Sequence, residues 1–221
     1  YKRQGIPSGI ANVANEEGIA NQMTLSLESG PVGGIPVDGV GFAAAVNAEA
    51  IYSICDTFDL YDGGVLDMTF LGAAEIDRRG NVNVSRFGTR CTGPGGFINI
   101  SQNARRVFYV GAFTSGKLEA EIANGKLKIV QEGTGVKFVD QVQQITFSAD
   151  YANESGQEVM YITERAVFRL TPEGPMLVEI APGIDLERDI LLHMAFHPIL
   201  SPELKQMDAR IFRAEPMGLH L

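Results

Sequence analysis

Cysteine is scarce in this chain: Cys55 and Cys91 stand far apart, in no CxxC pair and with no histidine cluster beside them. That argues against a disulfide framework or a cysteine-type zinc site and fits a reducing compartment. Basic charge is also short, since 18 Lys and Arg against 27 Asp and Glu leave a net charge of -9. General nucleic-acid binding usually leaves a basic footprint, and none is present. No apolar run reaches the roughly 20 residues of a membrane span, and the start YKRQGIP lacks a signal-peptide core. The expectation is a soluble, cytoplasmic protein with no nucleic-acid or membrane partner. The first residue is Tyr1 rather than Met, so the chain is expected to begin inside a longer polypeptide or after cleavage.

What is present is a pattern that alternates between helix and strand along 221 residues, enough to bury roughly 70% of the unfolded surface. Ser8 to Glu17 reads as a helix capped by Ser8 and stopped at Gly18, Met23 to Leu27 as a strand, and Ala48 to Leu60 as a helix. Val65 to Ala73 and Arg106 to Phe113 read as strands, and residues 78–81 as a turn before the alternating Val82 and Val84. Ala120 to Val130 reads as a hairpin around Asn124 and Gly125. Gln144 to Ile180 reads mostly as strands, and Leu186 to Phe196 as a helix stopped before Pro198. With no repeat, linker or low-complexity tract, residues 1–221 are expected to form a single domain, residues 1–4 being set apart from it.

Four features carry possible chemistry. In LESGPVGGIP an apolar strand runs into Glu28 and then into a segment whose Pro31, Gly33, Gly34 and Pro36 over-determine the backbone. Taken alone, a Glu at a strand end is usually a solvated surface residue. Here the shaped loop presents it in one place, as covalent catalysis requires. In CTGPGGFINISQNA, Gly93, Gly95 and Gly96 allow close backbone approach to a ligand, and the helix-like segment after Phe97 aims amide groups at that space. The bland alternative is a glycine turn before a helix.

The other two features are decoys. Gly111 to Lys117 matches GxxxxGK, but Leu118 replaces the Ser or Thr that would reach magnesium, and a hairpin pattern follows where a helix should open. His193 and His197 share a helical face, but Met194 stands where HExxH has Glu, and no third ligand is apparent. No metal site is expected.

LESGPVGGIP, the downstream CTGPGGFINISQNA and the intervening FDLYDGGVLDMTFLGAAEIDRRGNVNVSRFG together resemble the carboxyl-terminal, β-type half of family I CoA-transferases, especially the fused acetate or propionate type. The resemblance runs from Gly5 to about Arg213. It implies an open, mostly parallel α/β sheet flanked by helices with β-hairpin additions, the family I fold. It implies that Glu28 attacks an acyl-CoA thioester and comes to carry CoA as a glutamyl thioester, passing CoA to a short-chain carboxylate such as acetate without a cofactor. Gly95 and Gly96 are the first candidates for contacts to CoA and the developing oxyanion, with Gly93, Asn99, Gly33 and Gly34 as further binding candidates. An α-type half, on this polypeptide or another, is the implied partner, within a homo-oligomer. The charged YKRQ before GIP departs from the family pattern. Phe42, Tyr61 and Phe97 either narrow an acyl pocket or fill a core. A thioester hydrolase and a noncatalytic CoA- or nucleotide-binding module remain the alternatives.

Overall fold

The computed structural model describes residues 9–37 and 43–219, so the expected cap at Ser8, residues 1–4 and Phe42 lie outside the described residues. Six strands form the main sheet: β1 (Met68–Leu71), β2 (Arg106–Val110), β3 (Glu158–Ile162), β4 (Ala166–Thr171), β5 (Gly174–Ile180) and β6 (Ile199–Gln206). They lie in the sheet in that order. β2 pairs parallel with both β1 and β3, β4 joins its neighbours antiparallel, and β5 pairs parallel with β6. The sheet is thus mostly parallel, with an antiparallel meander in its middle, as an α/β chain with added hairpins predicts.

Among the described residues five α-helices accompany it: α1 (Gly9–Glu16), α2 (Ile54–Asp62), α3 (Phe97–Gln102), α4 (Ala149–Ser155) and α5 (Leu186–Asp189). α3 and α4 lie in the connections that carry the chain from β1 to β2 and from β2 to β3. The expected hairpin forms between Glu119–Ala123 and Lys126–Gln131, with Asn124 and Gly125 both at positive φ (53° and 71°). Two positive φ angles match the right-handed twist of the flanking strands.

Aromatic side chains fill the centre of the sheet. Tyr109 stacks between Phe97 and Tyr161 with ring centroids 5.7 and 5.6 Å apart, and Phe138 meets Phe113 and Phe168 at 4.8 Å each. Each such burial is worth roughly 1.5–3 kcal/mol. Beside them Arg165, with a fully buried side chain, donates to Glu164 and Glu132 at 2.6 Å each and lies 5.0 Å from the Phe113 ring centroid.

Four expectations from the sequence are corrected here. Met23 to Leu27 is extended but makes only an isolated bridge, Ser26 to Val32, because the chain reverses immediately after it. The helix expected from Ala48 begins at Ile54, since Ser53 caps it by accepting from the Asp56 amide at 3.1 Å, while Ala50–Ile51 pairs with Pro31–Val32. α4 interrupts the region read as strands, capped by Ser148 and closed by Gly156 at φ 72°. Leu186 to Phe196 forms only α5 and a 3-10 turn at Leu191–His193, broken where Ile190 leaves helical geometry at φ −120°, ψ −67°. No helix among the described residues is long and apolar enough to cross a membrane.

Candidate active site

Glu28 stands at the tip of a tight reversal. The Gly30 amide donates to the Leu27 carbonyl at 2.9 Å, closing a four-residue turn, and the Leu27 amide donates to Pro31 at 2.9 Å. One step further out the Gly33 amide donates to Leu25 at 2.7 Å. Gly30 sits at φ 116°, and a Cβ there would overlap the Tyr52 carbonyl oxygen, so only glycine fits. The Ser29 hydroxyl donates to the Ala43 carbonyl and ties the tip down from the other side. Glu28 is left exposed, and its carboxylate accepts no hydrogen bond among the described residues.

The second glycine motif meets this turn. A Cβ built on Gly96 would overlap Glu28 Oε2 and come within 2.7 Å of the Phe58 ring. The carboxylate therefore lies directly over the bare backbone of Gly96, with Phe58 of α2 beside it. Tyr61, one turn further along α2, is buried and donates to Ser26 Oγ at 2.9 Å. Burial raises the Tyr61 phenol pKa, and the charge of Glu28 adds to that rise against the Ser26 hydrogen bond. An exposed carboxylate thus sits against the bare backbone of Gly96 and the Phe58 ring, with the Tyr61 phenol nearby.

The other sequence candidates divide. The amides of Gly95 and Gly96 donate to no acceptor among the described residues; Gly95 is open to a ligand oxygen, whereas Gly96 is buried against Glu28 and Phe58. Gly95 is exposed, at φ 56°, and a Cβ there would meet open space. The Gly93 amide is already used, donating to the Ser85 carbonyl at 3.2 Å. Asn99 donates to both Asp62 carboxylate oxygens, at 3.2 and 3.0 Å, and so fastens α3 to the end of α2. Gly33 and Gly34 lie at φ 73° and 75° where Glu49 and the Asn47–Ala48 backbone approach, which makes them packing positions of the turn. Tyr61 packs edge-on against Phe58 and bonds Ser26 below the turn, whereas Phe97 stacks into the core.

Phe58 and Ser26 escaped the sequence reading. The signal was the i, i+3 spacing of Phe58 and Tyr61 on α2, which puts two rings on one helical face. The two decoy segments take other shapes. Gly111 to Leu118 opens a short strand at Thr114–Ser115 instead of a helix. His193 faces Glu132 at 3.5 Å, and no group of His, Cys, Asp or Glu among the described residues could hold a metal ion.

No protein-family model matches the chain. It is 50% identical over 217 residues to the acetate CoA-transferase YdiF of Escherichia coli O157:H7, across 98% of this chain and 41% of that protein. The crystal structure of that acyl-CoA transferase in a thioester complex with CoA superposes at a TM-score of 0.93, covering 99% of this chain and 41% of that one at 49% identity. The chain belongs to the family I CoA-transferases, as a β-type half. Other members of the family include the caffeate CoA-transferase of Acetobacterium woodii, 47% identical over 97% of this chain and 42% of that protein. One of the separate subunits of the 3-oxoadipate CoA-transferase of Pseudomonas putida is 24% identical over 83% of this chain and 80% of its own length. The chain spans about two-fifths of the length of the first two of these curated relatives.

Proposed function

We propose that this chain supplies the reacting carboxylate of an acyl-CoA:carboxylate CoA-transferase, with Glu28 as the nucleophile. The observation that supports it best is the placement of the Glu28 carboxylate over Gly96, next to two unspent backbone amides. Glu28 attacks the acyl-CoA thioester carbonyl, forming a mixed acyl-glutamyl anhydride and expelling CoA thiolate. The thiolate then attacks the glutamyl carbonyl, which leaves a glutamyl-CoA thioester and a free carboxylic acid. A second acid, such as acetate, reverses both steps. Taken together the steps exchange one thioester for another, so the overall sequence is close to thermoneutral and calls for no metal, nucleotide or redox cofactor. The Gly95 and Gly96 amides would stabilise oxygen charge in the tetrahedral intermediates, a role typically worth 100 to 1,000-fold per donor, roughly.

The site is open on one side, and an α-type half on the same or another polypeptide would close it. Exposed apolar side chains flank the Glu28 turn in sequence, including Ile51 at 76%, Ile54 at 56% and Val46 at 53%, and such a surface fits a partner. A single β-type domain is supported by one large core cluster running from Ile76 to Ile190 with Leu204 packed against it. A homo-oligomer of such paired halves is the assembly we infer. The exposed free thiols of Cys55 and Cys91 suit a cytoplasmic, reducing setting.

The test is exchange. With both halves present, labelled acetate should enter the acyl-CoA pool without net loss of thioester. Steady thioester loss with no label incorporated would make the enzyme a hydrolase, and neither event would leave a binding module.

A further inference from the structure

A cavity of about 480 Å3 opens at the carboxyl ends of the parallel strands β1 and β2, where open α/β sheets form their ligand crevices. Ala73 and Ala74 follow β1, Ala112 follows β2 and Phe87 adds to this apolar wall, while Glu75, Thr114 and Ser115 line a polar side. None of its lining residues belongs to the Glu28 turn or to the glycine loop. Its one cation is Lys137, whose residue is only 9% exposed.

Lys137 is short of partners. Its Nζ donates to the Ala112 carbonyl at 2.9 Å and forms no ion pair among the described residues, although an ammonium carries three donors. Nearby carboxylates are engaged elsewhere. Glu164 accepts from Arg165 Nε at 2.6 Å and from the Phe113 amide at 2.8 Å, and Glu75 accepts from Asn83 at 2.7 Å. Burial consequently pulls the Lys137 pKa down, and the field of Glu164 only partly opposes it. A buried, unpaired ammonium is costly, and an anion in the cavity would offset that cost.

We propose that this cavity is a binding site for a small monocarboxylate, its anionic head on Lys137 Nζ and its short apolar tail against Ala73, Ala74 and Phe87. Glu75 also lines the cavity, its carboxylate held by Asn83, so the single ammonium can offset at most one further negative charge; a monocarboxylate therefore fits better than a phosphate dianion, and the alanine walls leave room for its alkyl chain. The volume lies within the usual range for small-ligand sites. The site does not depend on Glu28 as the reacting group.

Equilibrium dialysis of labelled butyrate against the two-half enzyme carrying Glu28→Ala, without acyl-CoA, tests this separately from turnover. One saturable site per chain is expected, weakened at least ~10-fold by Lys137→Met, which keeps the length and removes the charged donors. Ala74→Leu should crowd the apolar wall and weaken binding with the charge intact, and butyramide should not compete. In the unsubstituted enzyme, butyrate should slow amine-reagent labelling of Lys137, read by peptide mass, which keeps the test alive if either variant fails to fold. Absence of saturable binding, undiminished affinity in Lys137→Met, equal competition by butyramide, or unprotected Lys137 would each overturn the proposal.

Discussion

Tyr109 and Tyr161 lie at 2% and 0% exposure in the centre of the sheet, whereas Glu28 stands in the open on a turn closed by backbone hydrogen bonds. The centre is held by side chains: stacked rings and a buried guanidinium shared among Glu132, Glu164 and the Asp189 carbonyl. The turn is held by main chain and by glycines whose missing Cβ lets strands and loops approach. Packing holds the centre, while backbone closure orients the carboxylate and leaves it uncovered. Substitutions should accordingly separate the two regions, the centre failing in stability and the turn failing in activity.

The largest expected effect is at the centre. Arg165→Met strands Glu132 and Glu164 in a partly buried site, and breaking such a pair from one side costs about 3–5 kcal/mol. Urea unfolding would read it, and a loss below about 1 kcal/mol would dissolve the contrast. At the site, Gly96→Ala should push the Glu28 carboxylate off its floor and lower turnover by ~100-fold, the usual consequence of an ångström-scale misplacement. Its thermal midpoint should fall only modestly, since Glu28 is the free end of an exposed side chain, although the half-buried Phe58 ring must also shift. Gly95→Ala is the matched control: nothing crowds its Cβ, but φ 56° disfavours Ala by about 1 kcal/mol, so it should lose some stability and less activity than Gly96→Ala. If the two alanine variants behave alike, the contact with Glu28 is not what matters.

The smallest effect is in the pH profile. Desolvation raises the Glu132 pKa, but hydrogen bonds from Arg165 and Thr114 outweigh it and leave the group below its ordinary 4.5. A depressed folded pKa contributes stability that is full above 4.5 and is lost as pH falls through the lowered value. Acid unfolding of the native chain should steepen below that pH, and Arg165→Met should flatten it. An unchanged acid limb in the variant would separate Glu132 from this network.

The parts of this contrast were unequally legible in the sequence. Glu28 and the glycine loop could be read because turn chemistry is local: Gly30, Gly33 and Gly34 all adopt positive φ, as glycine runs do. The meeting of Glu28 with Gly96 could not be derived from spacing, and it came only through family resemblance. Met23 to Leu27 misled because an apolar run says nothing of whether a neighbour will pair with it. α4 escaped because ADYANES has almost no apolar periodicity, although Ser148 and Gly156 marked its two ends. The Arg165 network and the Lys137 cavity were silent, since their members come from distant segments that only the folded sheet brings together.

The most direct measurement is a peptide map after incubating the two-half enzyme with acetyl-CoA and trapping it before acceptor is added. The account predicts one CoA mass on the peptide containing Glu28 and none in Glu28→Ala. A CoA adduct on another residue, or undiminished exchange by Glu28→Ala, would contradict it.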